Sequence, residues 1–136
     1  MTPGFGTAAR TLLAERPGQD SSEQLAARAA QVCEQFARHL ARLLGDTGVR
    51  LLLKRSVMRA SEQFPWLAAA PIAETGAAAL RIVMEQQDPE SITEAFVAVL
   101  SALVSLLERL IGEGLVGRLL AEVWPAVFTH AAKDTP

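Results

Sequence analysis

The chain has 136 residues and a formal net charge of −2; half of its residues are hydrophobic, only 5% are aromatic, and none is tyrosine. This length suits one domain with its own hydrophobic core, and the weak acidity argues against general nucleic-acid binding. The single cysteine excludes an internal disulfide. Together with a start that lacks the basic and apolar regions of a secretory signal, it predicts a cytoplasmic protein.

Helix-forming residues dominate the chain and alternating β-branched segments of strand length are absent, so the sequence predicts an all-α fold. The predicted helices cover about residues 7–16, 22–44, 48–63, 89–111 and 115–130, the last with a kink or break at Pro125, and one more begins at Thr75-Gly76.

Local signals set several of these helix boundaries. Ser21 and Gln24 have the spacing of a capping box, and Asp88 is placed to cap a helix whose first residue is a proline. Gly45 and Gly112 are predicted helix stops.

The stretch from Ser91 to Ile111 is the centre of the predicted fold. It carries no charge between Glu94 and Glu108, and its apolar residues point in every direction around a helix. Such a helix is buried in a core or against a partner, and the uncharged segment is too short to cross a bilayer. The sequence therefore predicts the central helix of a bundle, with no membrane contact, that also meets another chain.

Two segments of the chain resemble each other at an offset of 67 residues. ARLLGDTGVRLLLKRSV at 41–57 aligns without a gap on ERLIGEGLVGRLLAEVW at 108–124, and Gly45 matches Gly112 within the shared turn. We interpret this as a duplicated three-helix unit that forms a six-helix bundle. The alternative is a chance resemblance between two leucine-rich amphipathic helices. The predicted boundaries are repeat 1 at about 7–64, a connector at 65–74 and repeat 2 at about 75–131.

The two units differ on one helix face, which is polar in the first and apolar in the second. At the same offset, the polar residues Arg28, Gln31, Gln35, Arg38 and His39 correspond to Ala95, Ala98, Ala102, Ser105 and Leu106. A whole face that changes from polar to apolar is covered by something, either the first repeat or a second copy of the chain. Twofold homodimers are the commonest soluble assembly, so we predict a homodimer. Its predicted interface is Ala95, Ala98, Ala102 and Ser105.

Charge is unevenly distributed along the chain. Residues 1–70 hold nine Lys/Arg and six Asp/Glu, which gives +3, whereas residues 71–136 hold four and nine, which gives −5. Four of the cations form a basic band on the third predicted helix: Arg50, Lys54, Arg55 and Arg59. The band lacks interleaved aromatic residues and any recognition-helix motif, so we predict that it docks another protein and not nucleic acid. A solvated helix face without a partner is the alternative.

His39 and Cys33 are the residues that most suggest chemistry. His39 lies on a polar helix face near Arg38 and Arg42, an arrangement that would suit the phosphate-accepting histidine of a phosphotransfer domain. Leu43 stands where such domains typically have a glycine, and a solvated surface histidine is the favoured interpretation. Cys33 falls on the apolar side and should pack as a small hydrophobe. No metal site is expected from two histidines and one cysteine that lie far apart.

Aromatic residues and methionines near helix ends form a further candidate site. Both tryptophans neighbour a proline, and with four other residues they could line an apolar pocket between the repeats that binds a fatty or aromatic ligand. The residues concerned are Met58, Phe64, Trp66, Met84, Trp124 and Phe128. The alternative is that these large side chains plug the ends of an alanine- and leucine-rich core.

No catalytic residues, phosphate-binding loop or cofactor motif are recognisable. The sequence therefore favours a non-enzymatic regulatory or protein-interaction module that needs no cofactor. A sensor for a small apolar ligand is the second hypothesis, and histidine phosphotransfer at His39 is the third.

Overall fold

The computed structural model describes residues 5–13 and 20–128, without the side chains of Phe5, Ala73 and Glu74. Every regular element within these ranges is helical, which confirms the all-α prediction. The α-helices are α1 (Phe5–Leu13), α2 (Ser22–Ala60), α3 (Ile72–Thr75), α4 (Ala79–Met84), α5 (Pro89–Ile111) and α6 (Glu113–Val123), and short 3-10 helices cover Pro65–Ala69 and Gly76–Ala78. The predicted end of the first helix at about Arg16 lies outside the described residues.

The two longest helices begin with the predicted caps. At the start of α2 the Gln24 amide donates to Ser21 Oγ over 3.2 Å, while the Ser21 amide donates to Gln24 Oε1 over 2.8 Å. At the start of α5 the Ser91 amide donates to Asp88 Oδ2 over 3.2 Å, and Pro89 occupies the first helical position. Both caps satisfy backbone donors that a helix start leaves unpaired.

Gly45 and Gly112 interrupt the helices, and their backbone dihedral angles are nearly the same. Gly45 has φ 79° and ψ 159°, and Gly112 has φ 90° and ψ 152°. Residues with a side chain rarely adopt this region, so glycine is required at both positions. The kink at Gly45 divides α2 into a first arm, 22–44, and a second arm, 46–60. The predicted gap before a third helix at Gly48 is wrong, because the helix resumes directly after Gly45.

Two prolines end helical segments in a similar way. Phe64 has φ −127° and ψ 78° before Pro65, and Trp124 has φ −132° and ψ 70° before Pro125. A proline clashes with a preceding residue in helical conformation, which pushes that residue towards extended backbone. The predicted break at Pro125 is therefore confirmed, and α6 ends at Val123, two residues before the proline.

The segment between the second arm of α2 and α5 differs from the prediction. The connector contains a 3-10 helix, and α3 already begins at Ile72, three residues before the predicted start at Thr75. Gly76, with φ 66° and ψ −145°, interrupts the helical segment instead of opening it. The described residues thus contain six α-helices, as predicted, but several of these helices begin or end at other residues than predicted.

The core lies between α2 and α5, which form the most extensive helix–helix contact. α1 packs mainly on α5, and α4 packs on α2. Phe36 of α2 and Phe96 of α5 are the largest fully buried side chains. The Ser91–Ile111 helix, predicted to be central, packs on α1, α2 and α6, whereas α2 contacts every other element. Within the described part of the chain, no helix is both long and apolar enough to span a membrane.

Candidate functional site

The predicted basic band lies on the outer face of the second arm of α2. The inner face of this arm is apolar and buried, and it consists of Val49, Leu52, Leu53, Val57 and Ala60. Ser56 is also buried, and its hydroxyl donates to the Leu52 carbonyl over 2.8 Å, so the core contains no unsatisfied hydroxyl here. Because the inner face is anchored in this way, the outer face presents Arg50, Lys54, Arg55 and Arg59, all exposed.

The four cations of the band differ in their surroundings. The side chains of Lys54, Arg55 and Arg59 have no hydrogen bond or ion pair with any residue that the structure describes. Arg50 does have an interaction of its own and lies beside Gly76, where an added Cβ would be 3.9 Å from the Arg50 Nε atom. Three of the four charges are therefore available to a partner, and Arg50 also belongs to the packing around Gly76.

Two apolar side chains in the middle of the band were missed as part of this surface. Leu51 is 59% exposed and Met58 is 50% exposed. Leu51 had no predicted role, and Met58 was predicted to line an apolar pocket between the repeats. The signal was present in the spacing, since residues seven apart share a helix face, and both lie opposite the buried face of the arm.

His39 lies at the contact between the first arm of α2 and the end of α6. Its Nε2 atom is 2.9 Å from Glu122 Oε1, and nearby the Trp124 indole donates to Gln35 Oε1 over 3.3 Å. An open cleft of about 350 Å³ lies here, lined by Gln35, Arg38, His39, Arg42, Glu122 and Val123. The prediction of a polar-face histidine is confirmed, but the imidazole meets a carboxylate. That carboxylate would repel an incoming phosphoryl group, so the contact does not favour phosphotransfer.

Cys33 is completely buried in the core, as its position on the apolar side predicted. Burial raises the pKa of the Cys33 thiol to about 12. The thiolate is the nucleophilic form of cysteine, so a thiol that stays protonated at neutral pH is a packing residue and not a nucleophile.

The six residues of the predicted apolar pocket lie in different places. Trp124 packs against Phe36 and Phe128, with ring centroids 5.3 and 6.1 Å away, and Phe64 and Trp66 form a separate pair at 6.2 Å. Met84 is fully buried, whereas Met58 is half exposed. Two open clefts on the described part of the chain are lined by none of the six. Binding of an apolar ligand stays a prediction.

The apolar face predicted as a dimer interface is partly used within the chain itself. Ala95 has no exposed surface, and Leu106 is only 8% exposed. Helix α1 packs against α5, and the ion pair between Arg10 and Glu94 joins the two helices. Ala98 and Ala102 are half-buried, and Ser105 is exposed. The open remainder of this face therefore lies towards the carboxyl end of α5.

Among the described residues, no group of three or more His, Cys, Asp or Glu side chains is arranged to hold a metal ion. No protein-family model, curated protein or solved structure matches this chain.

Proposed function

We propose that this protein is a non-enzymatic interaction module that docks an acidic partner protein on the second arm of α2. The observation that carries the proposal is the set of three exposed cations, Lys54, Arg55 and Arg59, that have no partner among the described residues. Charges clustered on one face speed the encounter with an oppositely charged surface and disfavour like-charged ones. A regulatory protein that must select one partner would benefit from both effects.

The proposal is tested by reversing two of these charges. Arg55→Glu with Arg59→Glu should leave the fold intact, because exposed side chains without contacts typically change stability by less than about 0.5 kcal/mol. Affinity capture from the extract of the source cells should lose the partner. The matched control is Arg109→Glu with Arg118→Glu, which makes the same change in net charge at two other exposed arginines. A partner that is retained by the band variant, or lost equally by the control, contradicts docking at this face.

We also propose that the protein is a homodimer, joined through the part of the α5 face that its own chain leaves open. Half-buried Ala98 and Ala102, followed by exposed Ser105, support this proposal because small residues allow close approach of another helix. Ala98→Glu should yield a soluble monomer by native mass spectrometry, whereas Ala69→Glu, at an exposed site in the connector, should not. A soluble Ala98→Glu dimer contradicts this interface.

We further propose that the chain arose from two tandem three-helix units, 67 residues apart. Support comes from the similar dihedral angles of Gly45 and Gly112, and from the N-caps, since Ser21 (φ −75°, ψ 164°) and Asp88 (φ −74°, ψ 156°) are also 67 positions apart. In the packing of α1 on α5 and of α4 on α2, the first helix of each unit contacts the other unit, as an approximate twofold relation would produce.

We also propose that the protein is cytoplasmic, and the free thiol of Cys33 agrees with that reducing compartment.

A further inference from the structure

We infer that the partner segment bound by this surface is an acidic amphipathic helix, seated along Leu51 and Met58 between two rows of cations. The inference rests on the proposed docking function and names the kind of partner. The observation behind it is that the outer face of the second arm of α2 combines exposed apolar side chains with cations on both sides of them.

The arrangement follows from the positions of these residues around the helix. At about 100° per residue, Leu51 and Met58 lie within about 20° of each other and form a short apolar strip. Lys54 and Arg55 lie roughly 50° to either side of that strip, and Arg50 and Arg59 roughly 90° to either side. The apolar strip is thus flanked on both sides by cations, at two distances.

This strip has the dimensions of a helix-binding site. Leu51 and Met58 are separated by two helical turns, about 10 Å along the axis. A partner helix with apolar residues at positions i, i+3 or i+4, and i+7 covers the same length with its apolar face. Glu or Asp side chains that border this face would then lie opposite Lys54 and Arg55. Such a helix would bury the apolar strip and pair with the flanking cations at the same time.

Other anionic surfaces match the strip less well. A nucleic-acid backbone would meet the cations but would place Leu51 and Met58, both at least half exposed, against phosphates and sugars. A helix that lies on a membrane buries a broad apolar face rich in Trp, Phe and Leu. Here the exposed apolar strip consists of only two side chains, and the opposite face of the arm belongs to the protein core. An acidic helix is therefore the occupant that the surface fits best.

Two helical turns form a small contact, so the expected affinity is modest and depends on salt. Each exposed ion pair contributes little, but several of them beside an apolar contact accelerate association and are weakened by added salt. We expect a dissociation constant in the micromolar range, roughly 1–100 μM at low ionic strength, as in small transient interfaces.

The test uses designed peptides and the full chain. A small panel of fluorescein-labelled 16-residue peptides is made, each a glutamate-rich helix with three leucines on one face. Each has a control of identical composition in which the leucines are spread around the helix. Fluorescence anisotropy should show at least about tenfold tighter binding of the one-faced peptides. Leu51→Ser with Met58→Ser should abolish this preference, whereas Leu43→Ser, at a residue that is 52% exposed elsewhere on α2, should preserve it.

Charge reversal completes the test and separates the inference from the proposed function. Lys54→Glu with Arg55→Glu should abolish binding of both kinds of peptide. Equal binding of one-faced and scrambled peptides overturns the amphipathic helix, although the docking function stands if the host partner is still lost with Arg55→Glu and Arg59→Glu. Binding of vesicles of phosphatidylglycerol and phosphatidylcholine, with no binding of any peptide, overturns both. Failure of every peptide to bind, while the host partner is captured through the band, overturns only the inference.

Discussion

The second arm of α2 and helix α6 occupy equivalent places in the chain but use their outer surfaces differently. Each follows a glycine with the same unusual backbone, and each lies 67 positions from the other in the aligned segments. Helix α6 turns its end towards the first arm of α2, where Glu122 meets His39 and Trp124 meets Gln35 and Phe36. The second arm instead leaves its cations exposed.

One pair of aligned residues expresses this difference most directly. Arg55 in the second arm aligns with Glu122 in α6, so a cation without a described partner stands where the other segment has an anion paired within the chain. The same helix–glycine–helix framework can therefore place one helix against the first arm of α2 and leave the outer face of the other helix exposed. The following substitutions test how each segment is held.

The largest expected effect comes from removing the anchor of the α6 end. Trp124→Ala deletes a side chain that is only 9% exposed, together with its contacts to Phe36 and Phe128 and its hydrogen bond to Gln35. Truncation of a buried aromatic residue costs about 3–5 kcal/mol. This is a large part of the 5–15 kcal/mol that typically stabilises a domain. Urea unfolding followed by circular dichroism measures the loss.

Trp66→Ala is the control for this substitution. Trp66 is half-buried and has one described ring contact, with Phe64, so its removal should cost less, about 1–2 kcal/mol. Equal losses for the two tryptophans would mean that Trp124 does not have a special role in holding α6.

The next largest loss of stability is expected from replacing Gly45 or Gly112, the glycines that precede the two aligned helices. Gly45→Ala and Gly112→Ala should each destabilise the protein by about 1–3 kcal/mol. The cost is one of backbone conformation alone, because no atom lies within 4 Å of an added Cβ at either position. Gly117→Ala, within α6 and equally uncrowded, should instead stabilise by about 0.5–1 kcal/mol. Markedly different losses at Gly45 and Gly112 would argue against the proposed equivalence of the two junctions.

The two N-caps should have a similar importance at neutral pH and diverge in acid. Ser21→Ala should cost about 1 kcal/mol at any pH, because a hydroxyl does not titrate in this range. Hydrogen bonds from the Ser91 hydroxyl and amide lower the pKa of Asp88 below its ordinary value of 3.8. The stabilising effect of ionised Asp88 is therefore complete above that value and is lost as the pH falls through the lowered pKa.

Thermal unfolding at pH 7 and at pH 2.5 measures this difference between the caps. The loss of melting temperature caused by Asp88→Ala should shrink at the lower pH, while the loss caused by Ser21→Ala should not. A loss from Asp88→Ala that is independent of pH would show that its charge does not contribute to the cap.

Much of the fold could be predicted from local signals in the sequence. The caps at Ser21 and Asp88, the breaks at Gly45 and Gly112, and the break before Pro125 each depend on a few neighbouring residues, and all are found. The start of α3 at Ile72 was missed because it lies inside the predicted connector at 65–74, although the preceding Pro71 is tolerated at a helix start.

The surface features were harder to predict because they depend on what lies on the other side of each helix. Leu51 and Met58 share a helix face by their spacing, but how far each is exposed depends on how the opposite face packs in the core. Ala95 is covered within its own chain, which a comparison of aligned residues cannot reveal. The contact between His39 and Glu122 joins residues 83 positions apart and has no signal in the local pattern.

The smallest expected effect is the coupling between His39 and Glu122. Their side chains are 25% and 58% exposed, and partly exposed pairs contribute at most about 1 kcal/mol. A double-mutant cycle of His39→Ala and Glu122→Ala measures the coupling, with the exposed pair of Glu34 and Arg38 on one helix as the reference, at about 0.3–0.5 kcal/mol. If the long-range pair couples more strongly than the reference, charge as well as aromatic packing holds α6 closed. If it does not, apolar packing holds α6, through Trp124 and the buried side chains of Val116, Leu119 and Leu120.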